Sequence, residues 1–264
     1  VKKIEIVYHI AVMGGYYNIV KEQLDLLRET GLMDACSQLT VSIVGKFNRE
    51  LYSLLSTNPY YKKMRVSSTP YLQECEFPSI RAVQRIAAEN PGAQILYMHT
   101  KGASHGVATS VNSRWTPTQV KNLVQWRKFL EYHTINKWRD CVKYLDSYDA
   151  CGTDWGSVNG RTDFHFSGNF WWANATYINR CRLGQGDRFV CETFIGTGNP
   201  KVKVLQSSID NPRIKEYHRD WEINNMRIQF PGGLTFFNWY DYYYKNEWFV
   251  DGYGFHRGWK KGGR

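Results

Sequence analysis

The stretch Ile4–Gly31, IEIVYHIAVMGGYYNIVKEQLDLLRETG, decides the fold. Its first part, IEIVYHIAV, is an apolar, β-branched run that reads as a buried strand. MGGYYN follows as a loop. IVKEQLDLLRETG then carries Ile19, Val20, Leu24 and Leu27 at helical spacing, with Gly31 as a stop. The same alternation continues outward. LTVSIVG (39–45) is a second buried strand, and NRELYSLLSTNP (48–59) is a short helix closed by Pro59. SIRAVQRIAAEN (79–90) is a helix with Ser79 as its N-cap and Pro91-Gly92 as its stop. AQILYMHT (93–100) is a strand running into KGASHG. Alternating strands and helices over the first hundred residues predict a largely parallel sheet of βαβ type. Such sheets bind ligands beyond the carboxyl ends of their strands, where the strand order switches. MGGYYN and HTKG are the two loops at such ends.

From Thr118 to Ser147 a long helical stretch follows, with Thr134-Ile135-Asn136 as a possible break into two helices. YDACGTDW (148–155) reads as a short strand entering a loop. HFSGNFWWANATYINRC (165–181) reads as a strand or turn leading into a helix, and RFVCETFIGTG (188–198) as another helix start. The tail from Phe230 is dense in aromatics and Gly. Without an internal repeat or a linker, the 264 residues read as one domain.

The formal charge of +10 fits nucleic acid, an anionic membrane surface or a phosphorylated small molecule as partner. No run approaches the roughly 18 apolar residues of a membrane span. VKKIEIVYHI at the start reads as a strand rather than as the apolar region of a signal peptide. The six cysteines form no C-x-x-C and sit at no zinc-finger spacing, so they read as free, partly buried thiols of a reducing compartment. Trp 10, Tyr 18 and Phe 13 are too many aromatics for a disordered chain, and their faces suit sugars and bases as well as cores.

Neither G-x-G-x-x-G nor G-x-x-x-x-G-K-[ST] occurs, which argues against a standard dinucleotide site and a P-loop. In HTKG, Lys101 could supply charge to a diphosphate and Gly102 could let the backbone approach it. The same letters also fit a plain strand exit. HFSGNFWWA places small polar residues beside Phe170, Trp171 and Trp172, as a sugar site with an aromatic wall would; a core cluster after a turn is the other reading. Asn174-Ala175-Thr176 matches a glycosylation sequon by chance composition. Glu192, at a helix start, fits either a dipole partner or a chemical role. His256, Arg257, Lys260 and Lys261 in the tail fit a solvated basic end or a loop closing on an anion.

Taken together, ILYMHTKGAS, HFSGNFWWANATYI and CETFIG resemble a group of GT-A-type glycosyltransferases from bacteria and large algal viruses, including those that glycosylate the chlorella-virus major capsid protein. The resemblance spans about residues 4–196. It implies a single α/β GT-A domain over residues 1–264, a mixed and mainly parallel sheet flanked by helices, with a nucleotide-binding half over about 1–105 and an acceptor and catalytic half over about 106–264. It also implies glycosyl transfer from a nucleotide sugar (UDP-linked, with xylose as the weakly preferred sugar) to a hydroxyl of a glycan, with inversion. Glu192 is then the base, with Asp154 and Asp163 as alternatives. Ala11, Met13, Gly14, Tyr16, Tyr17, His99, Thr100, Lys101 and Gly102, with His256 and Arg257, hold the donor. His165, Ser167, Gly168, Asn169, Trp171 and Trp172 hold the acceptor.

The sequence departs from the group at one point. Where an Asp-x-Asp metal motif is usual, His99-Thr100-Lys101 stands, and no D-x-D occurs in the chain. Lysine and arginine then replace the ion as fixed charges. No cofactor is expected; if Mn²⁺ were needed, His99, Asp154 and His256 would be its candidate ligands. The expected partners are a UDP-sugar and a glycan or glycoprotein, with no nucleic acid and no membrane span. The expected place is the cytoplasm, that of a host if the protein is viral. The rival class is a non-catalytic carbohydrate- or nucleic-acid-binding module. Against its nucleic-acid form, the RNP aromatics, the KH loop and the zinc knuckle are missing, and the lysines are scattered.

Overall fold

A computed structural model describes residues 2–105, 117–157, 164–206, 248–251 and 254–257. The chain divides into two compact units, Val1–Gln206 and Ser207–Arg264. The first holds a seven-stranded sheet. Its strands are β1 (Ile4–Ala11), β2 (Gln38–Val44), β3 (Met64–Thr69), β4 (Gln94–His99), β5 (Ala150–Gly152), β8 (Trp171–Asn174) and β9 (Val202–Val204), in the order β3-β2-β1-β4-β8-β5-β9. β1 to β4 run parallel, β8 is antiparallel to both β4 and β5, and β5 is parallel to β9. This is the expected mixed, mainly parallel sheet flanked by helices. A separate two-stranded ladder joins β6 (Trp155–Ser157) to β7 (Phe164–Phe166). In the second unit, β10 (Trp248–Asp251) pairs antiparallel with β11 (Gly254–Arg257).

Both faces of the sheet are covered, so its central strands are apolar without alternation. Ile6, Tyr8 and Ile10 of β1 are fully buried, and so is Val7 between them. The two faces have different partners. On one, Val7, Ile95, Tyr97 and Trp171 join a core with Ile80, Val83 and Ile86 of α4 (Phe77–Glu89) and with Tyr177 and Ile178 of α7 (Ala175–Ile178). On the other, the Tyr8 hydroxyl donates to Gln23 Oε1 (2.6 Å) of α1 (Tyr16–Glu29). Also on that side, Trp172 Nε1 donates to Thr134 O (2.8 Å), in a π-helical turn, Tyr132–Asn136. That turn joins α5 (Pro117–Glu131) to α6 (Trp138–Tyr144), so the expected break at Thr134–Asn136 is real and is a widened turn.

Two local expectations are corrected. α4 begins at Phe77 with Pro78 in its first turn, so Ser79 lies inside the helix and its hydroxyl pairs with His9 Nδ1 (2.7 Å) instead of capping. α1 begins at Tyr16, three residues earlier than the apolar spacing implies. α3 (Arg49–Ser56) is capped by Asn48, whose Oδ1 accepts from Leu51 N (2.9 Å). The division at residue 105 is not a structural seam, because β4 from before it pairs directly with β8 from after it. All six cysteines are free thiols, and five of them are buried. Among the described residues, no helix is long and apolar enough to cross a membrane.

Candidate functional site

The strand order switches at β1. The chain leaves it through α1 for β2 on one side, while β4 flanks it on the other. Ligands of open α/β sheets enter at such a point, beyond the carboxyl ends. Four segments meet this edge: Val12–Gly15 after β1, Thr100–Ala103 after β4, Thr153-Asp154 after β5, and Ser167–Phe170 before the reversed strand β8. Gly15 N donates to Ala103 O (3.2 Å), which ties the first two loops together. Gly14 (φ +50°) and Gly102 (φ +89°) take left-handed backbone there. Met13 and Tyr17 are exposed at the β1 loop. Tyr16 is buried, and Asn48 Nδ2 donates to its hydroxyl (2.7 Å). It latches α1 to α3, which leaves Tyr17 as the ring free to stack. Ala11 N donates to Thr100 Oγ1 (3.0 Å), so these two predicted donor residues stitch β1 to β4.

The loop Ser167–Phe170 is held from several sides. His99 Nε2 donates to Gly168 O (2.8 Å), and the His99 ring lies 5.1 Å from that of Phe170. Asn169 Nδ2 donates to Glu76 Oε2 (2.7 Å), and Asn169 Oδ1 accepts from Trp171 Nε1 (2.8 Å). Glu76 Oε2 also accepts from the Tyr97 hydroxyl (2.5 Å). Gly168 has φ +86°, and a Cβ there would stand 2.5 Å from Leu130 Cδ1, so α5 itself demands a glycine. Gln23 Nε2 reaches His99 O (3.2 Å) and Glu131 Oε1 (2.8 Å), extending the network to a buried pair with Arg127 (Nε to Glu131 Oε1, 3.3 Å).

The electrostatics follow from burial. His9 is pushed down to about 4 by burial, against the pull of Glu76. His99 is lowered by burial too, with Glu76 opposing and Lys101 reinforcing, so near neutral pH it stays uncharged and its Nε2–H donates. Glu76 is desolvated, which works to raise it, yet His99, His9 and the Tyr97 hydroxyl together leave its carboxyl below the usual range. Lys101 is lowered by burial, partly countered by Glu192, with Arg188 adding to the lowering. Its Nζ lies 4.1 Å over the Trp126 ring. Glu192 Oε1 is 3.7 Å from Arg188 Nη2 in and beside α8 (Phe189–Thr193). Lys101, just beyond β4, thus lies within the electrostatic reach of Glu192, Arg188 and Glu76.

Sequence reasoning missed Glu76 and Arg188. Glu76 sits at the N-cap of α4, a position where an acid is ordinarily read as a cap. The aromatic wall is corrected: Trp171 and Trp172 are fully buried. They are neighbours on a strand, so they point to opposite faces, and helices cover both. Trp171 stacks on Tyr97 (5.1 Å, 22°). His165 and Ser167 are buried, and Asn169 is spent on Glu76 and Trp171. Asp154 is buried with φ +50°; its backbone receives Ser167 N (3.0 Å) and donates to Gln206 O (2.8 Å). Asp163 lies outside the described residues, as do the side chains of His256 and Arg257. Gly102–Gly106 reads G-A-S-H-G, the letters of a hydrolase nucleophile elbow. Ser104 instead sits in a 3₁₀ turn (Ala103–His105) without left-handed backbone, so the elbow geometry is not formed. Among the described residues, no group of three or more His, Cys, Asp or Glu could hold a metal ion.

The class that the fold defines is an α/β protein with a mixed, mainly parallel sheet flanked by helices. The chain belongs to the family described as Domain of unknown function (DUF8361), which matches residues 13–184. No curated protein matches it in sequence. Among solved structures, it is similar to 4-diphosphocytidyl-2C-methyl-D-erythritol synthase from Anaerococcus prevotii (10% identity, TM-score 0.41, covering 78% of this chain and 89% of that one). It is also similar to glucosyl-3-phosphoglycerate synthase from Mycobacterium tuberculosis in complex with Mn²⁺, UDP and phosphoglyceric acid (11% identity, TM-score 0.37, covering 89% of this chain and 80% of that one).

Proposed function

We propose that the protein is a GT-A-type glycosyltransferase that moves a sugar from a nucleotide-sugar donor to a hydroxyl of a glycan. The carrying observation is Lys101 just beyond the end of β4, within electrostatic reach of Glu192 and of Arg188, whose Nη2 lies 3.7 Å from Glu192 Oε1. In the reaction Glu192 takes the acceptor proton as the acceptor oxygen bonds to the anomeric carbon. The bond from that carbon to the diphosphate oxygen breaks, and its electron pair leaves with UDP. The proton on Glu192 then passes to solvent. Lys101 and Arg188 meet charge that grows on the departing diphosphate, so they favour the transition state over the ground state. With fixed cations in that place, turnover needs no divalent ion. A single acid beside the acceptor suits inversion, with Asp154 and Asp163 as the alternative bases. The donor is UDP-linked, with xylose as the favoured sugar, and the acceptor is a glycan on a glycoprotein such as a viral capsid protein.

The test is initial-rate UDP release with a panel of UDP-sugars, with and without EDTA. Glu192→Gln is expected to lower the rate about 10²-fold or more while UDP affinity, read by calorimetry, stays unchanged. Near wild-type turnover in that variant, with collapse in Asp154→Asn, would move the base to Asp154. Carbohydrate binding with no UDP release from any donor would make the protein a binding module. Loss of turnover in EDTA, restored by Mn²⁺, would overturn the fixed-cation account.

A further inference from the structure

The aromatic wall that Trp171 and Trp172 cannot supply exists elsewhere. On the β6–β7 ladder, Trp155 lies opposite Phe166, and Phe164 lies opposite Ser157, two positions along. The side-chain period of two therefore puts Trp155, Phe164 and Phe166 on one face. Phe166 is fully buried and supports Trp155 from the core, with ring centroids 4.7 Å apart. Trp155 and Phe164 lie nearly parallel (6.2 Å, 22°), and Phe164 is 50% exposed. They line a cavity of about 380 Å³ together with Thr193, Gly196, Thr197 and Asn199. That volume falls within the roughly 300–1,000 Å³ of small-molecule sites. Its floor depends on Gly196, where a Cβ would stand 1.9 Å from Phe164 O.

We infer that this cavity is a subsite for a neutral saccharide ring. Two aromatic faces suit the apolar C–H side of a pyranose. Hydroxyls and an amide suit its O–H groups, and no charged side chain is among the lining residues. Thr193 Oγ1 already donates to Phe189 O (3.1 Å), so its remaining capacity is to accept, and a sugar hydroxyl supplies the donor. Asn199 offers both an acceptor and donors. Thr193 directly follows Glu192 in α8, and adjacent Cα atoms are about 3.8 Å apart. One lining residue is therefore the chain neighbour of the proposed base. Naming its occupant the acceptor rests on the transferase reading; the saccharide subsite itself does not.

The probes are methyl β-D-xylopyranoside, methyl β-D-glucopyranoside and methyl α-L-rhamnopyranoside, followed by saturation-transfer NMR, with UDP binding measured separately by calorimetry. Ring C–H protons of at least one glycoside should saturate with the wild type. Trp155→Ala should abolish the effect, and Phe164→Ala should raise the glycoside Kd about tenfold, the scale of removing one aromatic anchor. Phe164 is exposed, so its truncation keeps the fold even if Trp155→Ala does not. Absence of saturation with the wild type, or equal saturation in wild type and Phe164→Ala, would overturn the subsite whether or not UDP binds. Saturation that is lost in the variants of a protein that binds no UDP would keep the subsite and remove the transferase reading.

Discussion

The loop after β1 and the loop before β8 stand at the same sheet edge and are built in opposite ways. Met13 and Tyr17 of the first are exposed, and its backbone is tied to the β4 loop by Gly15 N on Ala103 O. The second is buried and pinned by His99, Glu76 and Trp171, with Gly168 wedged against Leu130. Small polar residues beside aromatics describe both a sugar site and a tight turn entering a core. What separates them is whether the side chains' hydrogen-bonding capacity is already used. Asn169 spends its amide on Glu76 and Trp171, whereas Tyr17 stands exposed.

The largest expected effect tests the buried side of that contrast. Trp171→Ala removes a fully buried indole stacked on Tyr97 and leaves Asn169 Oδ1 without its donor. Denaturant titration should show a loss of about 3–5 kcal/mol. A loss below about 1 kcal/mol would return Trp171 to the role of an accessible wall.

The contrast also shows what was legible in the sequence. Ile4–Ala11 and Gln94–His99 announce themselves because a strand covered on both faces needs an unbroken apolar run. Lys101 and Glu192 stand out in the sequence because charge at a strand or helix end is visible locally. Trp171 and Trp172 were misread because burial depends on α5, α7 and the π turn arriving from distant sequence. Glu76 and Arg188 were missed because their meaning comes only from partners: Tyr97 and Asn169 for one, Glu192 and Lys101 for the other. β3, with its mostly exposed Met64–Thr69, carries almost no apolar signal.

Acid should act next most strongly, and through the pinned side. His9 folds in its neutral form with a pKa depressed by burial from 6.5 to about 4. Between those values the unfolded chain binds the proton and the folded one does not, so stability is full above about pH 6.5 and falls as pH drops towards 4. The span of 2.5 units corresponds to about 3 kcal/mol. Stability measured from pH 8 to pH 4 should decline over that window, and His9→Gln should lessen the slope by the share of one proton, since His99 and His133 are lowered by burial as well. An unchanged slope would mean that His9 is not held neutral. Glu76→Gln should cost less, about 1–2 kcal/mol, because the amide keeps one acceptor for two donors and loses the charge facing His99 and His9.

The smallest effect on stability belongs to the open loop, and there the functional effect should dominate. Tyr17 is 38% exposed and meets Tyr16 edge-on at 6.5 Å. Tyr16 is committed to Asn48, so of these two rings Tyr17 is the one able to offer a face to a uracil base at the β1 end. Tyr17→Ala should change unfolding free energy by no more than about 0.5 kcal/mol. UDP affinity should fall about tenfold, which matches the loss of roughly 1–3 kcal/mol expected for one base–aromatic stack. Tyr16→Ala should do the reverse, loosening the latch between α1 and α3 while affecting UDP only in proportion to the fold. Calorimetric titration of UDP with each variant, beside denaturant melts, separates the two. If Tyr16→Ala weakens UDP without loss of stability and Tyr17→Ala leaves it untouched, the roles given to the two tyrosines are reversed.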